Sequence, residues 1–159
     1  KREKMEYRFL EGGVLVQEKD PIINQSMTQL KKRLKVASKR KPSAKDINEL
    51  LFAWRCAKMV KSNAIVITRS RATVGIGAGQ MSRVDAMHIA CRKAGERSIG
   101  GCVASDGFFP KADNIDVAAA AGIKAVIQPG GSIRDREVMD AVNRHNLIMV
   151  MTGERHFRH

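Results

Sequence analysis

The feature that most constrains the fold is a set of short apolar runs that alternate with stretches of helical periodicity. The runs are NAIVIT, TVGIG, GGCVASD, KAVIQ and LIMVMT, which begin at positions 63, 73, 100, 124 and 147. Parallel strands that are covered on both faces read as continuous apolar runs of this kind. Strands that alternate with helices favour an α/β fold, here a mixed sheet between two helical layers in a three-layer α/β/α sandwich.

Capping residues mark the starts of the predicted helices. Ser43 and Asp46 form a variant capping box ahead of a helical stripe of apolar residues. Ser82 and Ser132 are expected to cap two later helices. The runs NAIVIT and TVGIG are separated only by the turn RSRA, which predicts an antiparallel pair of strands.

Positive charge is in excess along the chain, with a net charge of +13 and the densest cluster, KKRLKVASKRK, at residues 31–41. Residues 1–42 are interpreted as a basic N-terminal arm or connecting segment, extended around Gly12 and Gly13, and residues 43–159 as the α/β domain. The charge suggests polyanionic partners. Because aromatic residues make up only 4% and no RNP-like or zinc-finger pattern occurs, a nucleic-acid-binding domain is the weaker alternative.

The cysteines and the apolar runs bear on the compartment. The three cysteines are scattered and include no CxxC pair, which favours small buried side chains in a reducing, cytoplasmic environment. No apolar run approaches the roughly 18 residues of a membrane span, so no membrane partner is expected. The first residues lack the apolar core of a signal peptide, and position 1 is not Met, which suggests a processed or excised piece of a longer chain.

Polar and glycine-rich segments follow strand after strand. They are GAGQMSR, SDGFFPKADN, QPGGS and TGERHFRH. In open α/β sheets, ligands bind beyond the carboxyl ends of the strands, so the four segments predict one composite site. Gly77, Gly79, Gln80 and Arg83 have the character of an anion-binding helix start, although a tight turn with a solvated arginine explains them as well.

The remaining segments allow alternatives too. Gly130 and Gly131 before Ser132 fit a second anion site or an ordinary turn and cap. Phe108 and Phe109 either cover the core or stack on a flat ligand. The tail is either a frayed basic end or part of the site. Zinc is poorly supported because no HxE or CxxC occurs, and a serine triad because no G-x-S-x-G occurs.

Several long motifs resemble one family in the right order. VKSNAIV, TVGIGAGQMSRVDA, ASDGFFP, AVIQPGGSIRD and TGERHFRH are similar to the C-terminal part of AICAR transformylase, and FLEGGVLVQEKD resembles the segment that precedes it. The resemblance covers nearly the whole chain. It implies formyl transfer from 10-formyltetrahydrofolate to the 5-amino group of AICAR, in purine (IMP) biosynthesis. It also implies the second of two cytidine-deaminase-like halves, in a homodimer or beside a separate first-half chain.

The resemblance assigns roles to individual residues. Asn63 matches a catalytic asparagine near the reacting amine, and His159 a terminal histidine that helps to order the site. The residues on the AICAR side are Arg83, Phe108, Arg155, Gly77, Gly79 and Gln80. Those on the folate side are Pro110, Asp113, Asn114, Gly130 and Gly131. Some members hold a potassium ion, which the resemblance places near Ser62 and Asp106, and none of the deaminase zinc motifs is expected.

Two departures from the family pattern qualify the expected activity. Lys111 stands where the family has an aromatic residue, in FFPKAD instead of FFPF. The catalytic Lys–His pair of the family belongs to the first half, and neither its motif nor the cyclohydrolase domain occurs here. A catalytically silent chain that binds AICAR-like nucleotides is therefore an alternative to a complete formyltransferase.

Overall fold

The computed structural model describes residues 5–18 and 27–158. Within these ranges the strands are β1 Met5–Leu10, β2 Gly13–Glu18, β3 Lys35–Val36, β4 Ile65–Arg69, β5 Ala72–Gly77, β6 Cys102–Ser105, β7 Ala125–Gln128 and β8 Ile148–Met151. The helices are α1 Met27–Arg33, α2 Ala44–Lys58, α3 Arg83–Ala94, α4 Asp113–Ala120 and α5 Asp135–Arg144, with a 3-10 turn at Gly95–Ser98. From α2 onward, this is the order that the apolar and helical patterns predict.

A six-stranded mixed sheet in the order β3-β8-β7-β6-β4-β5 forms the centre of the fold. β6, β7 and β8 are parallel to one another, and β4 is antiparallel to both β5 and β6. β3 adds an antiparallel edge beside β8. The expected mixed α/β sheet and the antiparallel β4–β5 pair are therefore confirmed.

Apolar side chains cover both faces of this sheet. Because successive side chains of a strand point to opposite faces, Val103 belongs to one buried cluster and its neighbour Ala104 to the other. The Val103 cluster includes residues of α3, α4 and α5, such as Met87. The Ala104 cluster includes residues of α1 and α2, such as Trp54. Helices thus pack against both faces, as continuous apolar runs require.

The hairpin β1–β2 forms a separate two-stranded sheet whose turn contains Gly12 at φ +80°. Tyr7 pairs with Val16 and Phe9 with Val14 across the hairpin. All four side chains are about half exposed or more. The predicted extended arm is thus a two-stranded ribbon with an apolar face.

Part of the predicted connecting segment packs into the domain. Leu30 in α1 is buried against the cluster that contains α2. The Ser38 hydroxyl accepts a hydrogen bond from the Met149 amide at 2.9 Å. These contacts hold the basic stretch against the β8 side of the sheet.

Helix α2 begins with the predicted capping box, since the Ser43 hydroxyl accepts from the Asp46 amide and Asp46 accepts from the Ser43 amide. Asp46 also pairs with Lys124, just ahead of β7, with Nζ and Oδ1 2.7 Å apart. Burial alone would raise the pKa of Asp46, but the hydrogen bonds from Lys124 and Ser43 outweigh it and lower the pKa to about 2. The same contact raises the pKa of Lys124.

The predicted start of α5 is wrong by two residues, because Ser132 was expected to cap a helix that begins at Ile133. The helix begins at Asp135, and the Ser132 hydroxyl accepts from the Arg134 amide instead of capping the helix. The carboxylate of Asp135 accepts from the amides of Gly131 and Ser132 at 2.7 and 3.2 Å. These bonds keep Ile133 and Arg134 outside the helix.

The structure also describes the three cysteines and the apolar character of the helices. Cys56, Cys91 and Cys102 are free, and burial raises the pKa of the Cys102 thiol to about 12. Among the described residues, none of the helices combines the length and the apolar character that crossing a membrane would need.

Candidate functional site

The four polar segments that follow strands lie at one edge of the sheet. Ile65 at the start of β4 pairs with Gly77 at the end of β5 and with Ser105 at the end of β6. Since β6, β7 and β8 are parallel, their carboxyl ends share that edge. The prediction that these segments meet at one edge is confirmed, and the segment that precedes β4, with Ser62 and Asn63, joins them.

A buried carboxylate, Asp106, ties three of these segments together. Its Oδ1 accepts from Arg83 Nη2 at 2.9 Å, and its Oδ2 accepts from the Ser62 hydroxyl at 2.5 Å. Its carbonyl oxygen accepts from the His156 amide at 3.0 Å. The Asp106 side chain has no solvent exposure, and that of Arg83 is 10% exposed. A buried carboxylate is stable only with such partners.

Asn63 is held against the GAGQMSR segment. Its Nδ2 donates to the Gln80 carbonyl at 2.8 Å, and its backbone amide donates to the same oxygen at 3.2 Å. The Ser62–Asn63 peptide bond is cis. Helix α2 ends at Lys58 with Met59 as its C-cap. Asn63 lies beyond this cap and is therefore not a helix C-cap.

Two glycines of β5 serve the packing of α3. A Cβ on Gly77 would lie 1.9 Å from the Ala86 carbonyl oxygen, and one on Gly75 would lie 2.1 Å from that of Ala90. Only glycine lets the helix approach the strand this closely. Gly79, in contrast, has φ +65° and lies beyond the strand, with its amide donating to the Lys61 carbonyl. The packing of α3 explains Gly77 without a ligand.

Arg83 is the first residue of α3, and the predicted N-cap Ser82 accepts from the Asp85 amide. The guanidinium crosses to the SDGFFP loop, where Nη1 donates to the Phe108 carbonyl at 3.2 Å. Its Nε is buried, with no hydrogen-bond partner among the described residues. A Cβ on Gly107 would lie 2.5 Å from Nη2, so glycine there makes room for the arginine. Arg83 thus organises the loop.

The two phenylalanines of the loop differ in burial, so one covers the core and the other can contact a ligand. Phe109 is completely buried in the cluster of α3, α4 and α5, while Phe108 remains partly exposed. The Phe109 amide donates to Oε1 of buried Gln128 at 2.9 Å. Pro110 and Lys111 are exposed at the surface of the loop. Phe108, not Phe109, is available to a ligand.

Two further predicted segments are partly occupied by internal hydrogen bonds. Asp113 Oδ1 accepts from the amide and the side-chain Nδ2 of Asn114 at 2.7 and 2.9 Å. Asn114 is buried, and its Oδ1 has no partner among the described residues. At the start of α5, the carboxylate of Asp135 accepts a hydrogen bond from the Gly131 amide, which is therefore not free to bind a ligand. Gly130, at φ +72°, lies against the Met151 side chain.

The tail returns across the site edge. The His156 ring is buried and lies 5.0 Å from the Trp54 ring, centroid to centroid. The Arg158 carbonyl accepts from the Ser62 amide at 2.8 Å, and its guanidinium donates to the Met59 carbonyl. Arg155 is exposed, with its guanidinium carbon 5.9 Å from the centre of the Phe157 ring. The prediction for His159 lies outside the described residues.

The donor set at the edge bears on metal binding. Among the described residues, no group of three or more His, Cys, Asp or Glu side chains is arranged to hold a metal ion. Ser62 and Asp106, the residues expected near potassium, offer a hydroxyl and a carboxylate, which are the hard oxygen donors that such cations use.

Sequence reasoning gave no individual role to two contributors to this edge, although one of them, Gln128, opens the predicted QPGGS segment. Gln128 had a signal, since it is a polar residue that ends an apolar strand. Trp54 had none, because it lies on the apolar stripe of α2 and reads as an ordinary core residue. Both lie in the interior beneath the four segments.

Comparisons with known proteins identify sequence relatives. The family model described as AICARFT/IMPCHase bienzyme matches residues 1–93. The bifunctional purine biosynthesis protein PurH of Persephonella marina is 51% identical over 162 residues, covering all of this chain and 30% of that protein. PurH of Rippkaea orientalis is 49% identical over 156 residues, covering 98% of this chain and 29% of that protein. The chain thus spans about 30% of the length of these relatives.

Solved structures give a weaker likeness. RibD of Acinetobacter baumannii superposes with a TM-score of 0.43 and 14% identity, over 64% of this chain and 32% of that one. Similarity at this level does not support an argument about fold or function.

Proposed function

Because the chain belongs to the AICARFT/IMPCHase bienzyme family, we propose that it is the C-terminal half of the family's transformylase unit. In this role it contributes to purine biosynthesis by helping to transfer a formyl group from 10-formyltetrahydrofolate to AICAR. We further propose that its sheet with helices on both faces is a three-layer, cytidine-deaminase-like α/β/α sandwich. A cytoplasmic homodimer, or a complex with a first-half chain, is part of the same proposal.

One observation carries the proposal most directly. The KSN, GAGQMSR, SDGFFP and tail segments, which are distant in sequence, meet around the buried carboxylate of Asp106. These are also the motifs on which the resemblance to AICAR transformylase rests. The edge at which they meet is the one beyond the carboxyl ends of the parallel strands, where open α/β sheets bind ligands.

Asn63 supports the proposed chemistry through the orientation of its amide. The AICAR amine is a weak nucleophile that must lose a proton while N10 of the folate gains one. Since Asn63 Nδ2 is bonded to the Gln80 carbonyl, its Oδ1 is the atom left to accept a hydrogen bond from the amine. Such a bond holds the amine with its lone pair aimed at the formyl carbon.

The other assigned residues complete the proposed binding sites. Arg155 is an exposed cation suited to the AICAR phosphate, and partly exposed Phe108 is suited to its flat ring. Pro110, Asp113 and Asn114 are proposed for the folate side. Ser62 and Asp106 are the residues that would hold potassium, to which they would offer a hydroxyl and a carboxylate oxygen.

A second candidate function is nucleotide binding without turnover. It is favoured by a feature of the sequence, namely that the Lys–His motif expected of the first half does not occur. Under this proposal the chain binds AICAR-like nucleotides through the same edge and needs another chain, or another part of its own protein, for proton transfer.

The variant Asn63→Gly in the full-length protein tests the proposed function. We expect a melting temperature near that of the unchanged protein, because only one hydrogen bond worth about 1 kcal/mol is lost. We expect kcat for formyl transfer to fall by about 100-fold or more, because the amine is no longer positioned. If the variant keeps its rate of formyl transfer, Asn63 has no role in the mechanism. If the unchanged protein does not bind AICAR, the proposed function is wrong.

A further inference from the structure

One peptide unit in the SDGFFP loop is held at both ends by side chains. The carbonyl of Phe108 accepts from Arg83 Nη1 at 3.2 Å, and the amide of Phe109, in the same peptide unit, donates to Gln128 Oε1 at 2.9 Å. Arg83 comes from the start of α3 and Gln128 from the end of β7. The plane of this peptide is therefore fixed from two different elements.

The Gln128 side chain has a single well-defined task in this arrangement. It is fully buried, and its Nε2 donates to a weak acceptor, the Met149 sulfur, at 3.5 Å. Because a backbone amide can only donate, the atom that faces Phe109 must be the carbonyl oxygen of the side chain. Without that acceptor, a buried amide would be left unpaired, which is costly.

The fixed peptide determines where Phe108 lies. The ring of Phe109 is completely buried in the core and anchors the chain on one side. A planar peptide contains the Cα atoms of both residues, so holding this plane from two elements fixes the position of the Cα that carries the Phe108 side chain and narrows the orientations open to its ring. A rigid aromatic surface binds a flat ligand better than a mobile one, because less conformational entropy is lost on binding.

We propose that Gln128 is a positioning residue that presents Phe108 to the imidazole ring of AICAR through the Phe109 amide. This inference rests on the proposed function for the identity of the ligand. It does not rest on it for the positioning itself, which is a property of the loop. Gln128 has no contact with the ligand in this scheme and acts only through the peptide.

Labelling with 4-fluorophenylalanine tests the positioning without any ligand. We expect one sharp ¹⁹F resonance from Phe108 in the unchanged full-length protein, assigned with Phe108→Leu. We expect Gln128→Met, which has a similar volume but no acceptor, to broaden or split that resonance. Met149→Leu is the matched control, because it removes only the weak contact to Nε2, and its spectrum should be unchanged. A sharp, unshifted Phe108 resonance in folded Gln128→Met would overturn the inference.

Calorimetric titration with AICAR then tests the functional consequence. We expect Gln128→Met to weaken binding about tenfold, the equivalent of one hydrogen bond to a binding element. In a Phe108→Ala background, the same change should have almost no further effect, because the two residues act as one unit. Independent, multiplying losses in the double variant would show that Gln128 does not act through Phe108.

Two controls keep these outcomes distinct. If Gln128→Met fails to fold, Gln128→Asn removes the contact by shortening the side chain and keeps a polar group in place. If the unchanged protein does not bind AICAR, the proposed function fails, while the ¹⁹F spectra still decide whether Gln128 fixes Phe108.

Discussion

At the scale of single residues, the two arginines assigned to AICAR are in different physical situations. Arg83 is nearly buried, with its guanidinium divided between the Asp106 carboxylate and the Phe108 carbonyl. Arg155 is exposed and lies beside the ring of Phe157. The first arginine holds the loops of this edge together, whereas the second is open to solvent and would meet the ligand only under the proposed function.

This difference predicts separable effects of two alanine substitutions. Arg83→Ala should lower the free energy of unfolding by about 3 kcal/mol, because it leaves the buried charge of Asp106 without its cation. Arg155→Ala should leave stability within about 0.5 kcal/mol of the unchanged protein. It should still weaken AICAR binding by about 1–3 kcal/mol. Urea unfolding and calorimetry measure the two quantities.

Equal stability of the two variants would contradict the buried pair. Unchanged AICAR affinity in both variants would mean that neither arginine binds AICAR, so that Arg83 is structural and Arg155 is an ordinary surface residue.

The residue scale is also where sequence reasoning was least informative. Ser62, Arg83, Asp106 and His156 meet in space, but no local pattern links positions so far apart in the chain. The resemblance named three of the four as site residues or their neighbours without indicating that they touch. The contact between Gln128 and Phe109 was equally inaccessible, because it depends on the register of β6 against β7.

At the scale of elements, the close approach of α3 to β5 places Arg83 at the site edge. We expect Gly77→Ala to destabilise the fold by about 1–3 kcal/mol, because the added Cβ would lie 1.9 Å from the Ala86 carbonyl oxygen and the α3 backbone would have to shift. Gly13→Ala is the matched control, since a Cβ there meets nothing within 4 Å. Urea unfolding of both variants measures the difference. Equal stability would mean that α3 does not need the glycine.

The link between α2 and β7 predicts a dependence of stability on pH. The pKa of Asp46 falls from its ordinary 3.8 to about 2 in the folded chain. Its contribution is therefore fully present above about pH 4 and is lost as the pH falls towards 2. Because Lys124 is one-third exposed, we expect this contribution to be only about 1 kcal/mol.

Unfolding by urea at a series of pH values measures this loss. The variant Asp46→Asn should be less stable at neutral pH and should show a smaller decline between pH 4 and 2. An identical decline in both proteins would assign the acid sensitivity to other carboxylates.

Elements were the most predictable level of the structure, because their signals are local. Apolar runs of five to seven residues located the strands from β4 to β8, and Ser43 and Ser82 located two helix starts. The start of α5 was misplaced because Asp135 binds amides ahead of it, which is a tertiary detail of one loop. The pairing of β3 with β8 could not be predicted either, because a strand of two residues shows no periodicity in the sequence.

At the scale of the whole molecule, the site edge is built but its proton-transfer chemistry is incomplete under the proposed function. We expect the 159-residue chain alone to bind AICAR saturably and to show negligible formyl transfer with 10-formyltetrahydrofolate. Raising the salt concentration should weaken AICAR binding far less than it weakens the binding of a nucleic acid, where many counterions are released. Calorimetry and a formyl-transfer assay measure these quantities.

Turnover near that of a complete enzyme would contradict this view of the chain. Strong, salt-sensitive binding to nucleic acids of any sequence would favour the basic-domain alternative.

The bond between the Arg158 carbonyl and the Ser62 amide has a consequence for how the protein is made. Synthesis proceeds from the N-terminus, so the segment that carries Asn63 emerges from the ribosome long before its partner in the tail exists. The hairpin of β4 and β5 can pair early, while the edge beside it waits for the tail. A chain that stops at His156 would keep the buried ring against Trp54 but lose the Arg158 carbonyl, so it would escape the checks that detect exposed core while the edge beside Ser62 is unfinished.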